Sequence, residues 1–282
     1  MKFVFFGSSL ISITSLECLK EKGLLPSLVV TKPDSPQGRG LELQPTPVKE
    51  WAISNNIEVI TPESAKSPEA MEKIKAVNAE VGILVSYGKI IPDEMIDIFP
   101  KGIVNLHPSL LPHLRGPAPI EFTILNDNPE EAGVSIMLLD RELDHGPIIA
   151  QKKVWVLDWP PSKSALYKLL SDEGAKLLAE VLPDYLSGKI RPVPQDHDQA
   201  TFTRAIEKID GEIFLADDPY ENFLEFQAYE GWPGTYFFAE KDDKKIRVKV
   251  TEAEFKNGNF EILKVIPEGK KEMDFESFKR GL

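Results

Sequence analysis

Asn105, His107 and Ser109 alternate through NLHPSLLPHLRGPAP, where an apolar run (GIVNL) enters a loop with four prolines in the thirteen residues from His107. In extended backbone, residues two apart face the same way. Asn105 and His107 would therefore project together from a strand end. An asparagine amide carries two N–H donors, and an imidazole takes up or releases a proton near neutral pH. Asp144, in the turn RELDHG, adds a short carboxylate. Amide donor, imidazole and carboxylate are the parts needed for acyl transfer to an amine: an oxyanion stabiliser, a proton carrier and a group that orients it. No serine or cysteine is set in a nucleophile motif, which points to direct transfer without a covalent enzyme intermediate. The bland alternative is a packed strand-end histidine with no chemistry. The prolines stiffen the loop and lower the entropy lost in holding a pre-set site.

These side chains need strand ends to stand on. Residues 2–6 (KFVFF) and 27–31 (SLVVT) read as buried strands, with a helix from Gly7-Ser8-Ser9 to Lys22 between them. Residues 32–49, KPDSPQGRGLELQPTPVK, read as a loop, and a helix with proline in its first turn covers 47–55. A short strand (57–60), an amphipathic helix (67–77), the apolar run VGILV (81–85), a helix near 92–98 and a strand at 102–106 follow. GVSIMLLD (133–140) and PIIAQKKVWV (147–156) are further strands, and a long helix covers 162–187. Short apolar runs alternating with helices predict an α/β fold with a doubly wound sheet, whose ligands bind outside the carboxyl ends of its strands. The segment 188–200, GKIRPVPQDHDQA, reads as a linker. After it come a helix-like piece (219–230) and the strand-like runs TYFFAE, KIRVKVT and NFEILKVI, which predict a small β-barrel. The expected division is 1–188, a linker at 189–203, and 204–282.

Composition narrows the classes. The 282 residues are 42% hydrophobic and 28% charged, as in an ordinary globular protein. No eighteen consecutive residues are apolar, so no membrane span is expected. MKFVFFGSSLI reads as a buried first strand and not as a signal segment. The single cysteine, Cys18, permits no intrachain disulfide and fits a reducing, cytoplasmic setting. It lies among Ile13, Leu16 and Leu19 and reads as a helix core residue. A net charge of −12 argues against polyanion binding over the whole surface and leaves room for a local basic patch. With no long exposed apolar stripe, a monomer is expected.

NLHPSLLPHLRGPAPI closely resembles the signature of the formyltetrahydrofolate-dependent formyltransferases, through its Asn-x-His-x-Ser-Leu-Leu-Pro core and a downstream Asp-x-Gly. The resemblance implies that Asn105 and His107 stabilise the oxyanion and move the proton. It implies that Asp144 orients and charges His107 and helps deprotonate the amine, and that Ser109 supports the loop. The formyl donor would be 10-formyltetrahydrofolate, with no metal. Donor contacts map onto Ser86, Tyr87, Gly88 and Ile90 in VSYGKIIP, onto Ser109, Leu110, Leu111 and Pro112, and onto Asp140 and Leu143 in the 140–146 turn. For Tyr87 a place in the core or at its rim is an equal alternative.

The loop TKPDSPQGRGLELQPTPVK resembles the branch of this family that acts on methionyl-tRNA, as do RGPAPI, GVSIM, WPG (232–234) and EGKKEM (268–273). That resemblance covers essentially the whole chain. It implies a Rossmann-like catalytic domain, a linker, an OB-like C-terminal barrel, and initiator methionyl-tRNA as partner. Arg39 would touch the acceptor stem or methionyl end, as a guanidinium suits phosphate or carbonyl recognition. Lys189 and Arg191 flank the linker. Lys245, Arg247 and Lys249 share one face of KKIRVKV by period two. These form a candidate RNA-binding stripe, with a solvated strand face as the even alternative.

Three other classes compete. A sugar-nucleotide N-formyltransferase uses the same trio on an amino-sugar acceptor but lacks the Gly-Arg-Gly and Gln-Pro-x-Pro-Val-Lys loop. A folate-dependent hydrolase shares the trio and carries a different N-terminal domain. A non-catalytic RNA- or folate-binding module would lose the trio. The chain also departs from the family pattern at Leu41-Glu42, where a Lys pair is common, at Gly7-Ser8-Ser9-Leu10-Ile11, and at Gln227-Ala228-Tyr229. Residues 201–282 hold 13 Lys and Arg against 18 Asp and Glu, so RNA affinity there must come from a local basic face.

Overall fold

Continuous apolar runs leave no face for water and become the strands of one covered sheet. The computed structural model describes residues 1–37, 42–241 and 244–282, with residues 37 and 241 as backbone only. Arg39 and Leu41 lie outside the described residues. The chain begins β1 (Phe3–Gly7), α1 (Leu10–Glu21), β2 (Leu28–Val30), β3 (Ser35–Gln37), β4 (Glu42–Gln44) and α2 (Pro47–Ser54). It continues through β5 (Val59–Ile60), α3 (Pro68–Ala76), β6 (Val81–Val85), α4 (Asp93–Ile96), β7 (Ile103–His107) and α5 (Pro119–Leu125). Next come β8 (Gly133–Leu138), β9 (Ile148–Lys153), α6 (Lys163–Leu186) and α7 (Pro219–Ala228). It ends with β10 (Tyr236–Lys241), β11 (Lys244–Lys256), β12 (Asn259–Pro267), β13 (Met273–Asp274) and α8 (Phe275–Lys279).

The large sheet has the order β5-β2-β1-β6-β7-β8-β9. The first five of these strands run parallel, and β8 and β9 complete the sheet antiparallel. Strand order reverses between β1 and β6, the crevice where doubly wound sheets bind ligands. Val4, Phe6, Leu28, Val30, Ile74, Met95 and Ile103 fill one core against this sheet. The mixed α/β, Rossmann-like expectation holds.

The chain forms two compact units: residues 1–115, 132–154 and 168–201, and residues 116–131, 155–167 and 202–282. In the second unit β10-β11-β12-β13 form an antiparallel sheet. Phe237, Val248, Val250 and Val265 alternate inward and pack with Ile213 and Phe278. The short β13 and α8 were not expected, because two- and five-residue elements carry too little periodicity to read.

Two segments differ from their reading as plain loop and linker. Within 32–49, β3 and β4 pair, with Pro36 opposite Leu43. Proline is tolerated there because a two-stranded ribbon has only edge strands. Thr46 then caps α2, accepting from the Lys49 N–H, and Pro47 opens the helix. In 188–200, Val193 exchanges both backbone hydrogen bonds with Ile148 at 2.8 Å. Long-range pairing of this kind has no local sequence signal.

Candidate active site

All five residues of β7 are buried between β6 and β8. Asn105 is 6% exposed and His107 4%. Alternation puts the two on one face. The register sets Leu84 and Met137 beside Asn105, and Ser135 beside His107.

His107 Nε2 lies 3.0 Å from the Leu114 carbonyl oxygen. A carbonyl only accepts, so Nε2 carries the hydrogen. Nδ1 then faces Asp144 Oδ2 at 3.7 Å, beyond direct hydrogen-bond length and within ion-pair reach. Proton exchange by this imidazole is thereby confined to the Nδ1 side. Leu114 holds a left-handed backbone, φ +58°. That conformation costs a non-glycine residue roughly 1–2 kcal/mol. Both of its peptide groups are engaged, the carbonyl by His107 and the N–H by Thr201 Oγ1 at 2.8 Å. Asp144 is also left-handed, φ +48°, which a short polar residue tolerates. Two residues on, any side chain at Gly146 would collide with the Leu138 carbonyl, so glycine lets this turn close on the end of β8.

The proline loop is pinned by strand residues. Ser135 Oγ donates to the Ser109 carbonyl at 2.6 Å and accepts from the Leu111 N–H at 3.0 Å. Gln151 Nε2 donates to Ser135 Oγ at 2.9 Å and to the Leu111 carbonyl at 2.8 Å. Ser109 Oγ donates to the His113 carbonyl at 2.6 Å. Leu111 is buried, Pro112 half-buried, and Leu110 fills the space beside Gly133.

Of the residues expected at the donor, Ser86, Tyr87 and Gly88 follow β6 at the reversal of strand order, Ser109 to Pro112 follow β7, and Asp140 and Leu143 follow β8. The Ser8 N–H donates to the Ser86 carbonyl and Ser8 Oγ to the Tyr87 carbonyl, both at 3.2 Å. Gly88 has φ +69°, and Lys32 lies over it where a Cβ would stand. The Tyr87 ring is fully buried, edge-on to Phe6, and burial pushes its phenol up to about 12. What Tyr87 can present to a ligand is its peptide, not its ring. Ile90 and Leu143 are 84% and 61% exposed. A cleft of about 410 Å³ is lined by Asp93, Ile96, Asp97, Leu139, Asp140, Arg141 and Glu142. Asp140 Oδ2 accepts from His145 Nδ1 at 2.6 Å.

The residues expected at the acceptor are distributed. Lys189 and Arg191 belong to the first unit, where Lys189 pairs with Asp184 at 2.8 Å. Lys245, Arg247 and Lys249 share the face of β11 opposite the inward Ile246, Val248 and Val250. The Lys245 ammonium sits 4.2 Å from the Phe238 ring centre, and the Arg247 guanidinium 4.5 Å from that of Tyr236. Arg39 falls outside the described residues. Among the described residues, no group of three or more His, Cys, Asp or Glu is placed to hold a metal ion, and no helix is long and apolar enough to cross a membrane.

Leu114, Ser135, Gln151 and Gln195 were not singled out from the sequence. Ser135 had a signal, since GVSIM alternates. The others act through backbone or across long sequence distances.

Residues 1–182 match the Formyl transferase family. A methionyl-tRNA formyltransferase of Sulfurihydrogenibium sp. (strain YO3AOP1) is 38% identical over 266 residues, covering 94% of this chain and 85% of that one. Another, of Chloroflexus aurantiacus (strain ATCC 29366 / DSM 635 / J-10-fl), is 42% identical over 242 residues, covering 84% and 76%. The solved methionyl-tRNA formyltransferase from Clostridium thermocellum shares the fold, with a TM-score of 0.62 at 18% identity over 97% of this chain and 99% of that one. The apposed imidazole and carboxylate at the carboxyl end of β7 thus lie in a formyl-transferring enzyme, and the chain belongs to the formyl transferase family, in its methionyl-tRNA formyltransferase group.

Proposed function

We propose that this enzyme moves the formyl group of 10-formyltetrahydrofolate onto the α-amino group of initiator methionyl-tRNA, in the cytoplasm and as a monomer. The observation that carries the chemistry is His107 Nδ1 facing Asp144, with Asn105 on the same strand face. The amine nitrogen bonds to the formyl carbon as the bond from that carbon to the folate nitrogen breaks. One amine proton leaves, and the released folate nitrogen gains one. Asn105 donates amide hydrogens to the charge developing on the formyl oxygen. His107, anchored at Nε2 by Leu114, holds or passes the proton at Nδ1, and Asp144 stabilises the charge it then carries. Asn105 and His107 are buried and Asp144 is half-buried, which strengthens these interactions.

The donor reading rests on Ser86, the Tyr87 and Gly88 peptides, Ile90, Ser109, Leu110, Leu111, Pro112, Asp140 and Leu143. Of these, Asp140 lines a cleft of about 410 Å³ whose walls also include the carboxylates of Asp93, Asp97 and Glu142, and a pterin's ring N–H groups could donate to them. For the acceptor we assign Arg39, Lys189, Arg191, Lys245, Arg247 and Lys249 to tRNA. The three cations share one face of β11, where Lys245 and Arg247 lie on Phe238 and Tyr236, and such a basic stripe suits a phosphate backbone. Residues 1–188 then carry catalysis and, through Arg39, part of the acceptor site; 189–203 adds Lys189 and Arg191, and 204–282 adds the β11 contacts.

Labelled formyl donor offered in parallel to charged initiator tRNA, to a UDP-amino sugar and to water tests this reading. Label on the methionyl amine is expected. Label on the sugar would establish the sugar-nucleotide alternative, and release as formate the hydrolase.

A further inference from the structure

Gln195 sits in the segment whose composition reads as linker, yet it is 6% exposed. Its Nε2 donates to two carbonyls, those of Asp144 and Gly146, each at 2.8 Å. Its Oε1 accepts from Arg115 Nε at 3.1 Å and Nη2 at 2.7 Å. A guanidinium only donates and a carbonyl only accepts, so these four partners permit a single orientation of the amide. The amide therefore ties two groups together. One is the backbone of the left-handed turn that carries Asp144. The other is the guanidinium of Arg115, the residue after Leu114, whose carbonyl fixes His107 Nε2–H. Arg115 is itself 3% exposed, so its charge depends on such acceptors.

The geometry points to Gln195 as a positioning residue of the transfer reaction: one side-chain amide sets the separation of His107 and Asp144 without touching either side chain. This rests on the roles proposed above for those two residues. A misplacement of about 1 Å between reacting groups costs on the order of a hundredfold in rate.

Two substitutions test it. Gln195→Met removes all four hydrogen bonds at similar volume. Gln195→Glu keeps an oxygen for Arg115 and loses the donors to the Asp144 and Gly146 carbonyls. Both are expected to lower kcat roughly tenfold to a hundredfold, with KM for the methionyl-tRNA acceptor within about twofold. The chain has four histidines, so imidazole nitrogen resonances can be assigned one by one. Those of His107 are expected to move in both variants, and the Nε2–H signal of His107 to weaken. Wild-type kcat and unmoved His107 resonances in folded Gln195→Glu would overturn the inference, even if Gln195→Met fails to fold. Normal turnover in His107→Ala or Asp144→Ala would instead overturn the catalytic reading, and the resonances would still decide whether Gln195 positions the imidazole.

Discussion

The His107 Nε2–H donates to the Leu114 carbonyl at 3.0 Å, seven residues further along the chain. This contact assigns the tautomer, because the acceptor cannot donate. It turns the other nitrogen toward Asp144. Asp144→Asn removes the charge that faces Nδ1 and keeps the volume. Formyl transfer is expected to fall by about 10²–10⁴, with donor KM little changed. Single-turnover rates with charged tRNA measure it, and a loss below threefold would remove Asp144 from the proton path.

Asn105 stands two residues before His107 on the same face and is equally buried. Asn105→Ala removes its amide donors. A kcat reduced by about 10²–10³ is expected, the usual size for one lost oxyanion donor. If KM for the donor rises instead while kcat holds, Asn105 binds the ground state and does not serve the transition state.

Ser135 joins β8 to the proline loop through two hydrogen bonds, accepts a third from Gln151 on β9, and has no exposed surface. Ser135→Ala strands the Ser109 carbonyl and the Leu111 N–H. A loss of about 1–3 kcal/mol of stability is expected, read by denaturant melting. Unchanged stability would mean that the loop is held by Gln151 and the prolines without it.

Glu225 in α7 has its carboxyl pushed up to about 7, first by burial and then by Asp217 and Glu221. The folded pKa exceeds the ordinary value of 4.5, so the fold binds the extra proton. The stabilisation is complete below about 4.5 and is lost as pH rises through about 7. Glu225→Gln is accordingly expected to raise Tm at pH 8 and leave it unchanged at pH 4. A lower Tm at pH 8 would contradict this.

Lys245, Arg247 and Lys249 are expected to contact phosphate. Changing all three to Gln should flatten the slope of log affinity for tRNA against log salt by roughly 2–3. KM for the folate donor should not change. An unaltered slope would return this face to solvent.

Much of the sheet could be read from the sequence. KFVFF, SLVVT and VGILV are continuous apolar runs that only a covered sheet accommodates, and Asn105 and His107 share a face because the period of a strand is two. These are local properties, set by backbone geometry and the immediate side-chain order. The tertiary structure alone decided which nitrogen of His107 faces Asp144, that the Tyr87 ring is core, and that β3 and β4 pair inside an apparent loop. It also brought Gln195, 51 residues along the chain from Asp144, onto that residue's carbonyl. Each of these depends on a hydrogen bond or a packing contact between distant residues. Such contacts carry no period and little compositional trace, so only the folded chain reveals which polar group satisfies which.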